Sequence, residues 1–367
     1  MRRIAIGLVL GLGGASASAA ADYRLDTLAS GLDHPWSLAV LPDGALLVTE
    51  RPGRLRVIRD GQLREAPVTG VPAVFASGQA GLFDVALDPD FASNGRIYLS
   101  FAHGDGDANA LRVVRARLER EALREVTPLF TAQPSKRGDA HYGGRMAFLA
   151  DATLVVTVGE GFIHREQAQR LDNHLGKLVR ITRDGQAAPD NPFLARADAL
   201  PEIYSLGHRN PQGLVFDPVR GILYEHEHGP RGGDELNRIE PGANYGWPLA
   251  TFGLDYTGAQ VSPWQAYPDT RQPLLHWTPS IAPSGMTLYR GDAFPAWRDS
   301  LFVSALVEKA VRRIPLAGDA PGVQETLFAE LGERLRDVRA GPDGALYLLT
   351  DSAAGRVLRV TPATPAP

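Results

Sequence analysis

A few polar clusters stand out in this apolar, turn-rich chain, and each is a place where chemistry could sit. His141, in Ala140-His141-Tyr142-Gly143-Gly144-Arg145, precedes a strand-like run, and the paired glycines permit close backbone approach. An unperturbed imidazole titrates near pH ~6.5, which suits a general base; an ordinary turn histidine would have the same surroundings. Two stretches, 207–213 and 225–237, nearly lack bulky apolar residues and read as loop. The first holds Arg209-Asn210-Pro211, whose donors a proline would fix. The second holds Gly229-Pro230 near carboxylates, a bend that can expose the carbonyl oxygens a hard cation such as calcium accepts. His226 and His228, alternating with Glu225 and Glu227, also admit a transition-metal site, but no third ligand follows at a recognisable spacing. Arg334 and Arg336 would face one way on a strand, either to grip an anion or to form a surface salt-bridged pair.

The elements that must position these groups repeat along the chain. Pro42-Asp43-Gly44-Ala45-Leu46-Leu47-Val48-Thr49 near the start matches Pro342-Asp343-Gly344-Ala345-Leu346-Tyr347-Leu348-Leu349-Thr350 near the end. A Gly-Arg pair and another strand follow each, so the unit is a β-hairpin entered by an Asp-Gly turn. Variants begin at Asp88, Asp151, Asp217 and Asp299, giving about six repeats at intervals of about 45 to over 80 residues. A β-sandwich tolerates similar turns, but likeness between the two ends favours a closed ring. The expected fold is all-β, a six-bladed β-propeller whose long inter-blade loops, 101–109 and 257–277 among them, form the site on one face.

Composition narrows the chemistry further. With no Cys among 367 residues, thiolate catalysis, Cys-ligated zinc and iron–sulfur clusters are excluded. A net charge of −4 gives no footprint for nucleic acid. Residues 1–21 read as a signal peptide, with Arg2-Arg3, an apolar Ile4 to Leu12 and small residues at Ala17-Ser18-Ala19. That run is shorter than the roughly 20 residues a membrane span needs, so an exported, periplasmic or secreted protein is expected rather than an integral membrane one. One domain is expected over 22–361, with a Pro-rich tail at 362–367.

Taken together, the motifs resemble the soluble glucose and aldose sugar dehydrogenases that use pyrroloquinoline quinone, the aldose branch more closely. The likeness covers nearly the whole mature chain. It rests on Leu32-Asp33-His34-Pro35-Trp36, Gly78-Gln79-Ala80-Gly81-Leu82-Phe83-Asp84, His141-Tyr142-Gly143-Gly144-Arg145, Arg209-Asn210-Pro211-Gln212-Gly213, His228-Gly229-Pro230-Arg231-Gly232-Gly233-Asp234-Glu235, Asn244-Tyr245-Gly246-Trp247-Pro248 and Arg334-Leu335-Arg336-Asp337-Val338. The resemblance implies that His141 takes the proton of the anomeric hydroxyl while hydride passes to the quinone. It implies that Arg209 and Asn210 lie at the reacting carbonyl, and that Gln79, Tyr256, Arg334 and Arg336 also bind the cofactor. One calcium would sit on the carbonyls of Gly229 and Pro230, and a second on Glu235 and the carbonyl of Tyr245. The electron acceptor that reoxidises the cofactor would be a quinone or a cytochrome.

Two departures stand against the family pattern. Val307, in Ala305-Leu306-Val307, replaces a cofactor-binding lysine; Lys309 on the same side of a regular strand, another arginine, or weaker binding would be the consequence. Ala80 replaces a glycine. The rival readings are a propeller that binds without catalysing and a calcium-dependent lactonase, which needs carboxylate and amide side chains converging on the metal.

Overall fold

The computed structural model describes residues 23–318 and 320–363. The signal-peptide assignment and most of the Pro-rich tail lie outside the described residues. Six antiparallel sheets form, and their innermost strands are Pro35–Val40, Leu82–Leu87, Gly143–Phe148, Pro211–Asp217, Pro283–Tyr289 and Leu335–Ala340. Each packs against the next, and the last packs against the first, so the sheets are blades of a closed six-bladed propeller. Closure uses both chain ends: Tyr23–Leu32 is the outermost strand of the sixth blade, paired antiparallel with Gly355–Pro362.

Period-two alternation in the second strands builds the core. Leu46 and Val48 face the sixth blade while Leu47, between them, faces the second. Every gap between neighbouring blades holds such an apolar cluster. The repeated turn aspartates are hairpin anchors. Asp43 accepts from the Ala45 amide and pairs with Arg59, and Asp343 repeats this with Ala345 and Arg359.

On the ring axis the buried Arg145 reaches toward the other five inner strands. Its Nε donates to Gln212 O at 2.8 Å and Nη2 to Ser284 O at 3.0 Å, with Arg336 O at 3.4 Å. Asp337 lies 3.2 Å away, Asp84 3.7 Å, and the Trp36 ring centroid 4.0 Å from the guanidinium carbon. Arg339 completes the cluster against Asp337 at 2.9 Å and Asp84 at 3.0 Å. Two cations thus meet two carboxylates, and the buried charge balances.

Three expectations need correction. Both polar stretches are part strand rather than loop: Pro211–Asp217 takes in the end of 207–213, Ile222–Glu227 and Asp234–Ile239 take in much of 225–237, and most of these residues are buried. Their polarity reflects charged groups gathered inside the fourth blade. Residues 101–109 are no insert, because Arg96–Gly104 and Asn109–Glu119 form a tight hairpin; the long connections are 64–81, 159–176, 182–202 and 240–274. Residues 306–310 turn between strands, and Lys309 has φ 59°, so strand parity does not carry it to the side of Val307.

Candidate functional site

One rim of the ring gathers the residues just before inner strands and just after second strands. Asn210, Ala282 and Arg334 precede inner strands, and Arg51, His228, Leu306 and Asp351 follow second strands. With Trp36, Gln79, Gln212, Val307 and Arg336 they line a cavity of about 250 Å³. Arg334 and Arg336 both reach Asp351 Oδ2 at 3.1 Å, so the pair grips a carboxylate as its spacing suggested, though the carboxylate is internal. Burial alone would raise the Asp351 pKa, but Arg336 and Arg334 override it and hold the carboxyl below its ordinary range.

His141 adjoins this cavity. Its amide donates to Gln79 Oε1 at 2.9 Å, and Asn210 Oδ1 accepts from the Gly143 amide at 3.2 Å. The backbone at His141 has φ 50°, a left-handed conformation that costs a non-glycine residue on the order of 1 kcal/mol and aims its ring. His141 Nδ1 lies 2.9 Å from Glu160 Oε1. A carboxylate there favours the proton on Nδ1 and leaves Nε2 with its lone pair. Burial lowers the His141 pKa, Glu160 partly reverses this, and Arg209 lowers it again, so the ring is neutral at pH 7. Glu160 escaped sequence reasoning, although Gly159-Glu160-Gly161, directly after the apolar strand Leu154–Val158, was a visible interruption.

Arg209 is held by carbonyls: Nη1 donates to His228 O at 3.1 Å and to Gly229 O at 2.6 Å. Tyr256, 60% exposed, stands at the mouth, 5.9 Å from the Arg209 guanidinium and 6.3 Å from the Phe162 ring. Gly229, a proposed carbonyl ligand, lies in a loop turned inward, where a Cβ would fall 2.3 Å from the carbonyl oxygens of Gly232 and Gly233. Asp234 fastens this loop, accepting from the Gly229 amide at 3.0 Å and the Ile281 amide at 2.8 Å. Pro230 is buried beside it.

Behind Arg209, a space of about 10 Å³ lies among Glu227, Gly229, Glu235 and Tyr245, about enough for one water or ion. Glu225, Glu227 and His208 present ligand atoms within 4.8 Å of one another. Burial and the charge of Glu227 push the carboxyls of Glu225 and Glu235 well above their ordinary range. Glu225 Oε1, Asn237 Oδ1 and His208 Nδ1 are buried without hydrogen bonds. Three carboxylates against the one guanidinium of Arg209 fit a hard divalent cation. His226 and His228 do not join it. Their Nε2 atoms face Gly285 O at 3.4 Å and Pro283 O at 2.6 Å, and burial drives both pKa values down to about 3.

A six-bladed propeller with a buried histidine–carboxylate pair, an arginine-lined cleft and a carboxylate nest on one rim defines the class. The chain belongs to the glucose/sorbosone dehydrogenase family, whose model it matches over residues 32–359. It is 42% identical over 351 residues to the aldose sugar dehydrogenase YliI of Escherichia coli, covering 94% of each chain. A crystal structure titled glucose dehydrogenase superposes with TM-score 0.90 at 47% identity, covering 93% of this chain and all of that one. The PQQ-bound form of the aldose sugar dehydrogenase of Streptomyces coelicolor superposes at 0.76 and 32% identity, over 93% and 99% of the two chains. Among the described residues no helix is long and apolar enough to cross a membrane.

Proposed function

We propose that this protein is an exported dehydrogenase that oxidises aldose sugars at the anomeric carbon to the lactone, using pyrroloquinoline quinone and calcium. The observation that carries the reading is a neutral, carboxylate-oriented His141 beside a cleft with surplus positive charge. Bound in that cleft, the quinone would accept hydride from the sugar, with calcium on the carbonyls of Gly229 and Pro230 as a Lewis acid. Gln79, Asn210, Arg334 and Arg336 would hold it, with Tyr256 closing the mouth.

The chain's own groups account for the proton. His141 Nε2 accepts the proton of the anomeric hydroxyl as the carbon–hydrogen bond breaks toward the quinone. Glu160 steadies the imidazolium that forms, as an orienting carboxylate does for other catalytic histidines. Arg209, fixed by two carbonyls, places a cation where negative charge develops. A second calcium in the nest of Glu225, Glu227 and Glu235, with Tyr245 alongside, would fix the strands that carry Arg209 and the Gly229 loop. The two electrons taken from the sugar then leave to a quinone or cytochrome acceptor.

Carboxylate and amide side chains do converge here, as a lactonase would require, but Glu225 and Asn237 have no solvent exposure. A lactone cannot reach them, which disfavours that reading. The deciding experiment is dye-linked aldose oxidation by apo-protein with and without quinone and calcium. Activity should need both additions, and His141→Gln should lower kcat about 10²- to 10⁴-fold while still binding quinone. Quinone binding without oxidation of any aldose would favour a binding module.

A further inference from the structure

The cavity carries more positive charge than its own carboxylate neutralises. Arg334 and Arg336 already share one oxygen of Asp351. Arg51 lines the same cavity as a third guanidinium. It is partly buried, and among the described residues its side chain makes neither hydrogen bond nor ion pair. Among the lining residues three guanidinium groups face one carboxylate, a surplus of two positive charges, with Asp33 acting on Arg51 from outside the cavity, and Arg336 Nε is itself buried without a partner.

The backbone at Arg51 is tightly fixed. Its amide donates to His34 O at 3.0 Å, and its carbonyl accepts from the Leu82 amide at 2.9 Å. Gly81 makes room for it, since a Cβ there would fall 2.2 Å from Arg51 O and 2.4 Å from its Cγ. A pinned stem that carries a cation without a protein partner favours an anionic ligand. Burial lowers the Arg51 pKa, and Arg336 and Arg334 add to this against the opposing pull of Asp351 and Asp33. Val307 lines the same cavity, 61% exposed, whereas Lys309 is not among the lining residues.

We infer that Arg51 binds a carboxylate of the cofactor and supplies, from the first blade, the cation that Val307 cannot. This rests on assigning the cavity to the quinone. Two of the three carboxylates of such a ligand would offset the surplus, one of them on the guanidinium that Asp351 leaves free. Arg51 is thus an anion-binding residue of the cleft rather than a structural surface arginine.

The test titrates apo-protein with pyrroloquinoline quinone, read by quenching of tryptophan fluorescence at low and high salt, beside melting temperatures. Arg51→Gln should weaken binding about 10- to 100-fold and flatten its salt dependence with little change in melting temperature. Val307→Lys in the Arg51→Gln background should recover most of that loss. Unchanged affinity in Arg51→Gln, or a lowered melting temperature with no change in affinity, overturns the assignment. No recovery in the double variant overturns the exchange with Val307. If the wild-type chain binds no quinone at all, the cofactor assignment itself fails, a result distinct from any of these.

Discussion

The cleft at the rim of the ring and the nest inside the fourth blade are unbalanced in opposite directions. Arg51, Arg334 and Arg336 surround Asp351 in the cleft; in the nest Glu227 and Glu235 line a small space, with Glu225 beside Glu227. Solvent reaches the cleft, so its guanidinium groups stay charged and respond to salt. Glu225 in the nest has no solvent exposure, and burial with the charge of Glu227 raises the carboxyl pKa values of Glu225 and Glu235, which favours proton uptake there. Surplus charge of either sign calls for a ligand of the other, but exposure decides whether ionic strength or pH reports the imbalance.

The balanced axial cluster sets the scale for breaking this comparison. Arg145→Ala leaves Arg339 as the one cation against Asp84 and Asp337 in the axial cluster and should cost about 3–5 kcal/mol in chemical denaturation, the largest effect expected. In the nest, calcium should stabilise the apo-protein by about 2.7 kcal/mol at a hundredfold excess over Kd, and Glu225→Gln should remove much of this gain. The same site has a pH signature. Folded carboxyl pKa values raised above the ordinary 4.5 add stability at acid pH that is lost as pH rises through the folded values. In chelator this contribution falls by at most about 1.4 kcal/mol per pH unit for each carboxylate, and saturating calcium should abolish the slope. The buried histidines act oppositely, losing stability below pH 6.5 whether or not calcium is present, so the difference between melts with and without calcium isolates the carboxyls. In the cleft, Arg336→Gln should weaken quinone binding about tenfold, the smallest effect, with a shallower salt dependence and no change in calcium affinity.

Much of the architecture was legible because it is written locally. An Asp turn followed by alternating apolar residues specifies a hairpin, and its recurrence from Asp43 to Asp343 specifies the ring. The Arg334 and Arg336 spacing correctly placed both on one side. Arg51 and Asp351 were also within reach: aligned on the matching hairpins, they occupy the same position after the second strand, at the rim where the cleft forms. Glu160 was marked only by a polar break after an apolar strand.

Sequence by itself determined the repeats, the closed all-β ring and the residue types available for chemistry, since turn preference and period-two alternation act over a few residues. Tertiary structure alone decided that Tyr224-Glu225-His226-Glu227 is a buried strand, because its polar groups are sheltered by other blades rather than by sequence neighbours. It also decided which charges balance. Arg145 finds Asp84 and Asp337 across the axis, while Arg51 enters the cleft without a partner. Charge pairing depends on distances that only ring closure creates.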